Sequence, residues 1–160
     1  EEIIDGLKTE PVCDWKGKKV VLTGITAEPD ALLQVLVDNK VAVVADDVAQ
    51  ESRQYSTPFP ACNSAIESLA RQWQNRTSDP LAHEDKLGRS DLLIRLTKEN
   101  NATGVILCLM KFCDPEEYEE TMIKPELKAL GIPVLTIDID QQPTSYDQAR
   151  TRIQTFADII

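Results

Sequence analysis

The sequence predicts an α/β fold, a small doubly wound, four-stranded parallel sheet with helices on both faces. Short apolar runs alternate along the chain with amphipathic stretches, the order of strand–helix–strand units. The run Gly104-Val-Ile-Leu-Cys-Leu109 is continuously apolar rather than alternating, which marks a strand covered on both faces, as parallel strands are. At 160 residues the chain suits one domain with its own core.

The first strand is Lys19-Val-Val-Leu-Thr23, closed by Gly24. A helix follows from about Pro29 to Val37, with Leu32, Leu33, Val35 and Leu36 as its apolar stripe. Pro29 suits the first turn, where its missing N–H has no helical partner to lose. Val41-Ala-Val-Val-Ala45 is the second strand, ended by Asp46-Asp47, and an irregular stretch covers Gln50 to Pro60, where Pro58 and Pro60 interrupt helix and sheet pairing alike. Ile66, Leu69, Ala70 and Trp73 recur at helical spacing, and a third helix spans His83 to Asn100 with Leu92, Leu93 and Leu96 on one face. The strand from Gly104 to Leu109 comes next. Pro115 opens a further helix, expected to break or kink at Pro125, and Pro133 to Asp138 forms the fourth strand. Ser145-x-x-Gln148 is a capping-box pattern for the last helix, lined by Tyr146, Ala149, Ile153, Phe156, Ala157 and Ile160. The expected arrangement is three-layered and Rossmann- or flavodoxin-like over residues 18–160, with residues 1–17 as an N-terminal arm or interdomain linker. The opening Glu1-Glu-Ile-Ile-Asp-Gly-Leu-Lys8, without methionine, reads as the tail of a helix and raises the expectation of a chain cut from something larger.

Acidic residues outnumber basic ones 27 to 17, a formal charge of −10. That balance argues against a nucleic-acid surface, which needs clustered Lys and Arg to displace phosphate counterions. No apolar run approaches the roughly 20 residues of a bilayer crossing, and no secretion signal opens the chain. The four cysteines, Cys13, Cys62, Cys108 and Cys113, form neither a CxxC pair nor a disulfide scaffold. A cytoplasmic, reducing setting is the expectation.

In such a sheet, ligands bind beyond the carboxyl ends of the strands, near the reversal of strand order. Those ends carry Thr23, Gly24 and Thr26; Asp46, Asp47, Ser52 and Arg53; Met110-Lys-Phe-Cys-Asp-Pro115; and Asp138-Ile-Asp-Gln-Gln142. Cys113 is the most informative. If Asp114 caps the helix that Pro115 opens, Cys113 stands just outside a helix N-terminus with Lys111 nearby, and both features favour the thiolate. A half-buried cysteine that merely packs is the open alternative. Cys108 lies inside an apolar strand and reads as packing, and Cys13 and Cys62 have no partner at metal-ligand spacing. His83, the single histidine, reads as solvated. Neither a dinucleotide fingerprint nor a P-loop is present. Asp46-Asp47 could hold a metal, but adjacent acids at a strand end are more commonly solvated or hydrogen-bonded to loop amides.

Taken together, Val-Val-Ala-Asp46-Asp47-x4-Ser52-Arg53, Gly104-Val-Ile-x4-Lys111-Phe-Cys113-Asp-Pro115, Gly131-Ile-Pro-Val-Leu, Asp140-Gln-Gln142 and Gln148-x-Arg150-Thr-Arg152-Ile resemble the 2-hydroxyacyl-CoA dehydratase family, which includes the benzoyl-CoA reductase subunits. The resemblance runs from about residue 18 to 160. It implies one subunit of a two-subunit lyase with a 4Fe-4S cluster, an ATP-dependent activator protein that delivers one electron, and loss of water from a 2-hydroxyacyl-CoA through a ketyl radical. It also implies that the cluster is held between two domains, with Cys113 the metal ligand contributed by the C-terminal one and Lys111, Phe112 and Asp114 around it. Ser52 and Arg53 would sit near the cluster or the thioester. An N-terminal domain would supply the other cysteines, so this chain alone is expected to be inactive. Three alternatives stand beside this reading: a benzoyl-CoA reductase-type subunit, a non-redox binding or signalling module of the same architecture, and a scaffold subunit that has lost its cluster. A receiver-type module would place its acids after the first strand, where this chain has Thr23-Gly24.

Overall fold

A computed structural model describes residues 2–11, 13–27, 30–77, 88–140 and 146–160. Its elements are α1 (Glu2–Thr9), β1 (Lys18–Gly24), α2 (Asp30–Asp38), β2 (Val41–Val48), a 3-10 turn (Ser52–Gln54), α3 (Ala65–Gln74), α4 (Gly88–Glu99), β3 (Gly104–Met110), α5 (Asp114–Ala129), β4 (Val134–Ile139) and α6 (Asp147–Ile159). The four strands form one parallel sheet in the order β2-β1-β3-β4. The α/β reading and its parallel, doubly wound sheet therefore hold.

Alternation explains the continuous apolar run of β3. Ile106 and Cys108 face α2 and α6, packing with Val20, Leu22, Leu32, Val35, Ile153 and Phe156. Val105 and Leu107 face α4 and α5, where Val21, Leu93, Ile123 and Leu127 complete a second cluster. Each face of the sheet thus has its own core, and a central strand must be apolar at both sets of positions.

Several local expectations are corrected. β2 does not end before the acids but runs through Asp46-Asp47 to Val48, pairing Leu22 with Asp46 and Thr23 with Asp47. The Asp47 side chain is neutralised by arginines, so the strand can continue through it. α5 is not broken at Pro125: buried Ile123 and Leu127 on either side anchor both halves to the sheet, so the lost backbone bond is tolerated. The N-cap of α5 is Cys113, not Asp114, because the Cys113 carbonyl already accepts from the Glu117 N–H while its own backbone is non-helical. Tyr146 caps α6 without a side-chain hydrogen bond, one residue later than the capping box requires; Ser145 lies outside the described residues, as do Pro29, His83, Gln141 and Gln142.

α3 carries the apolar stripe that marks it in the sequence, yet Ile66 is 80 % and Trp73 64 % exposed. α1 buries no residue. Neither helix contributes to the two cores. No helix among the described residues is long and apolar enough to cross a membrane.

The tightest backbone approach falls where strand order reverses. Gly24, at φ +145°, pairs with Cys108, and a β-carbon there would overlap the Cys108 carbonyl oxygen. Gly24→Ala is therefore expected to lower the free energy of unfolding by about 2–4 kcal/mol in urea titrations. Gly6→Ala in α1, where a β-carbon meets nothing within 4 Å, should leave stability unchanged or raise it slightly.

Candidate functional site

The crevice of this topology lies between β1 and β3, whose connections leave in opposite directions. Beneath it is a knot of buried charge. Thr23, the last side chain of β1, donates its hydroxyl to Asp47 Oδ2 at 3.1 Å and accepts from Arg89 Nη2 at 2.8 Å. Asp47 on β2 receives both Nε and Nη2 of Arg53 at 3.0 Å, the two-pronged geometry that a planar guanidinium favours. Arg53 Nη2 also donates to the Asp47 carbonyl at 2.6 Å. Arg89, at the start of α4 and 1 % exposed, reaches Asp47 at 3.4 Å, Glu116 at 3.4 Å and Glu119 at 2.6 Å. Glu116 turns its other oxygen to the Met110 N–H at 3.3 Å, tying the end of β3 to α5.

Burial pushes the Glu116 carboxyl above its ordinary value of 4.5, and the charge of Arg89 opposes that rise. Burial, reinforced by Glu116, pushes the Cys108 thiol up to about 12. Cys108 is therefore a neutral thiol enclosed in the core.

Above the knot, the loop Lys111–Cys113 crosses the end of the sheet. It is pinned by Lys111 N–H to the Ile139 carbonyl at 2.9 Å and by Cys113 N–H to the Met110 carbonyl at 3.1 Å. Between these anchors Phe112 adopts φ +66° and is 93 % exposed. A left-handed aromatic residue is strained, and such strain persists only where its surroundings over-determine it. Cys113 is half-buried beside it. The charges around it differ from those expected: Lys111 Nζ pairs with Asp140 at 3.1 Å, and the first turn of α5 carries Asp114, Glu116 and Glu117.

Lys111, Phe112, Cys113 and Asp114 thus share one loop and helix start at the crevice. Ser52 and Arg53 line a cleft of about 310 Å³ beside β2 that does not include the Cys113 loop, and Arg53 Nη2 also reaches the Gly24 carbonyl at the end of β1 at 3.4 Å. Two strand spacings, roughly 10 Å, separate β2 from β3. Ser52 donates to the Asp46 carbonyl at 2.6 Å, while Asp46 Oδ1 accepts from the Val48 and Ser52 amides. The loop-amide reading of Asp46 holds, whereas Asp47 is an ion-pair partner. The Arg150-Thr-Arg152 element fastens α6: Arg150 pairs with Asp38 on α2 and Arg152 with Asp138 on β4. Among the described residues no group of three or more His, Cys, Asp or Glu could hold a metal.

The sequence matches the family model of the 2-hydroxyglutaryl-CoA dehydratase D-component over residues 1–160. The chain belongs to this family. It is 39 % identical over 159 residues to the (R)-phenyllactyl-CoA dehydratase beta subunit of Clostridium sporogenes, covering 99 % of this chain and 42 % of that protein. It is 38 % identical over 161 residues to the lactoyl-CoA dehydratase subunit beta of Anaerotignum propionicum, covering 100 % and 43 %. With the (R)-2-hydroxyglutaryl-CoA dehydratase subunit beta of Acidaminococcus fermentans the identity is 35 % over 162 residues, covering 99 % and 43 %. The chain spans about two-fifths of the length of these dehydratase relatives.

Sequence reasoning missed Arg89, Glu116 and Glu119. An acidic residue in a first helical turn reads as a partner of the helix dipole, and nothing local marks Arg89 as buried. Removing it leaves Glu116 and Glu119 without their cation and Asp47 with Arg53 alone, so Arg89→Met is expected to lose about 3–5 kcal/mol in chemical denaturation. In the native protein, NMR titration should place the Glu116 midpoint above 4.5. The folded chain then holds that proton more tightly than the unfolded one, so the contribution of Glu116 to stability declines as pH rises through its folded midpoint.

Proposed function

We propose that residues 18–160 are the C-terminal, cluster-binding domain of a 2-hydroxyacyl-CoA dehydratase subunit, with residues 1–17 linking to the rest of the chain. The observation that carries this reading is the position of Cys113. In a chain of the dehydratase family, this thiol lies at the switch-point crevice, on a pinned and strained loop, where it can meet a group held from outside the domain.

The donor set fits one ligand of a shared 4Fe-4S cluster and not a complete site. Such clusters are normally held by four thiolates. Here Cys108 is locked in the core as a neutral thiol, and the described residues contain no metal-binding group of three. When bound, the cluster supplies single electrons to the dehydration of the acyl-CoA. The role of this chain is positional. Glu116 and the Ile139 carbonyl hold the backbone N–H groups of Met110 and Lys111, which keeps the thiol of Cys113 at the mouth of the crevice. Phe112 projects beside it as an apolar cover that keeps water from a bound cluster. Ser52 and Arg53 act at a distance, because Arg53 holds Asp47 and Asp47 meets Arg89. The remaining ligands, the second subunit, the ATP-dependent activator and the acyl-CoA complete a cytoplasmic enzyme in this proposal. Relatives named as beta subunits support the need for a second subunit.

Expressed alone and reconstituted anaerobically with iron and sulfide, the 160-residue chain is expected to retain no stoichiometric iron. A stable visible 4Fe-4S absorption band would contradict the shared-cluster reading. In the full-length subunit, Cys113→Ser should remove or destabilise the cluster by iron analysis and electron paramagnetic resonance, while Cys62→Ser should not. Full iron content in Cys113→Ser would overturn the ligand assignment.

A further inference from the structure

The cleft beside β2 has a composition at odds with the rest of the molecule. In a chain of formal charge −10 it gathers Arg53, Arg76 and Arg95 together with the hydroxyl residues Ser56, Thr57 and Thr77. Arg53 is committed to Asp47. The other two arginines are not neutralised in the same way. Arg76 stacks 4.5 Å from the centre of the Trp73 ring and donates Nη2 to the Arg53 carbonyl at 2.9 Å. These two contacts hold its guanidinium in place, and no carboxylate of the described residues forms an ion pair with it. Ordering is thus achieved before any ligand arrives, which lowers the entropic penalty of binding. Arg95 meets Glu99 at a loose 3.6 Å, with both side chains more than half exposed. Such a surface pair contributes little and exchanges readily for a better anion. The opposing charges of the lining are Asp47, which Arg53 holds, and Asp46, whose Oδ1 is occupied by the Val48 and Ser52 amides.

We infer that this cleft binds a phosphate ester, with Arg76 and Arg95 as its cationic clamp. Planar guanidinium donors match pairs of phosphate oxygens, and neighbouring hydroxyls can serve the remainder. Leu92 and Leu96 of α4 give the cleft an apolar wall, suited to the organic part of such an ester. The site uses no cysteine and no metal, so it stands or falls apart from the role proposed for Cys113.

Pyrophosphate is the first probe, titrated calorimetrically into the 160-residue chain, with sodium chloride at matched ionic strength as control. Saturable binding is expected, with Kd raised at least about tenfold in Arg95→Gln and in Arg76→Gln. Because Arg95 is exposed on the outer face of α4, its variant should keep the native circular dichroism spectrum. ADP and coenzyme A, compared under the same conditions, distinguish a free nucleotide from an acyl carrier as the source of the phosphate. Heat that merely follows ionic strength, or saturable binding that persists unchanged in the Arg76→Gln/Arg95→Gln double variant, would overturn the site.

Discussion

The structure turns on a guanidinium that has no access to water. Arg89 is fully enclosed at the start of α4, and its ion pairs reach Asp47 on β2 and Glu116 and Glu119 on α5, with Thr23 of β1 as its hydroxyl acceptor. An ion in such a place is tolerated only when its hydrogen-bonding capacity and charge are both met. Meeting them requires the carboxyl end of β1, the end of β2 and the first turn of α5 to converge on one point. That convergence is the floor of the crevice.

The same constraint reaches the cysteine loop. Glu116 divides its carboxylate between Arg89 and the Met110 amide, so the last residue of β3 is held by the buried knot. One residue further, Lys111 is held by the end of β4. Phe112 then has no relaxed path to α5, and takes a left-handed conformation with its ring in solvent. A flexible loop would let this residue relax. Here the anchors on both sides fix the backbone that carries the aromatic ring and the Cys113 thiol at the mouth of the crevice, a feature with no evident benefit to the fold itself.

Legibility differed between kinds of structure. The strands were readable because burial on both faces leaves an unbroken apolar run, as in β3. By sequence pattern the second strand stops at Ala45, because two aspartates look incompatible with a sheet, and only the arginines that neutralise Asp47 make the extension to Val48 possible. Pro125 looked like a helix breaker because propensity is a local property, whereas Ile123 and Leu127 hold α5 on the sheet through tertiary contacts. Cys113 was recognisable from its place after a strand and before a helix. Its N-cap position was displaced by one residue, since Asp114 is the more favourable cap by residue type while the backbone bond from Glu117 decides otherwise.

By itself, the sequence determined the alternation of strands and helices, the parallel sheet, the location of the Lys-Phe-Cys-Asp element and the family to which the chain belongs. These follow from periodicity and from residue identities at fixed spacing, and both are local along the chain. Tertiary structure alone decided which charges meet. Arg89 and Thr23 are 66 positions apart, and Arg53 and Asp47 only six, yet neither separation carries a periodic signal. The partnership of an ion is set by burial, because only where water is excluded does a particular neighbour become indispensable.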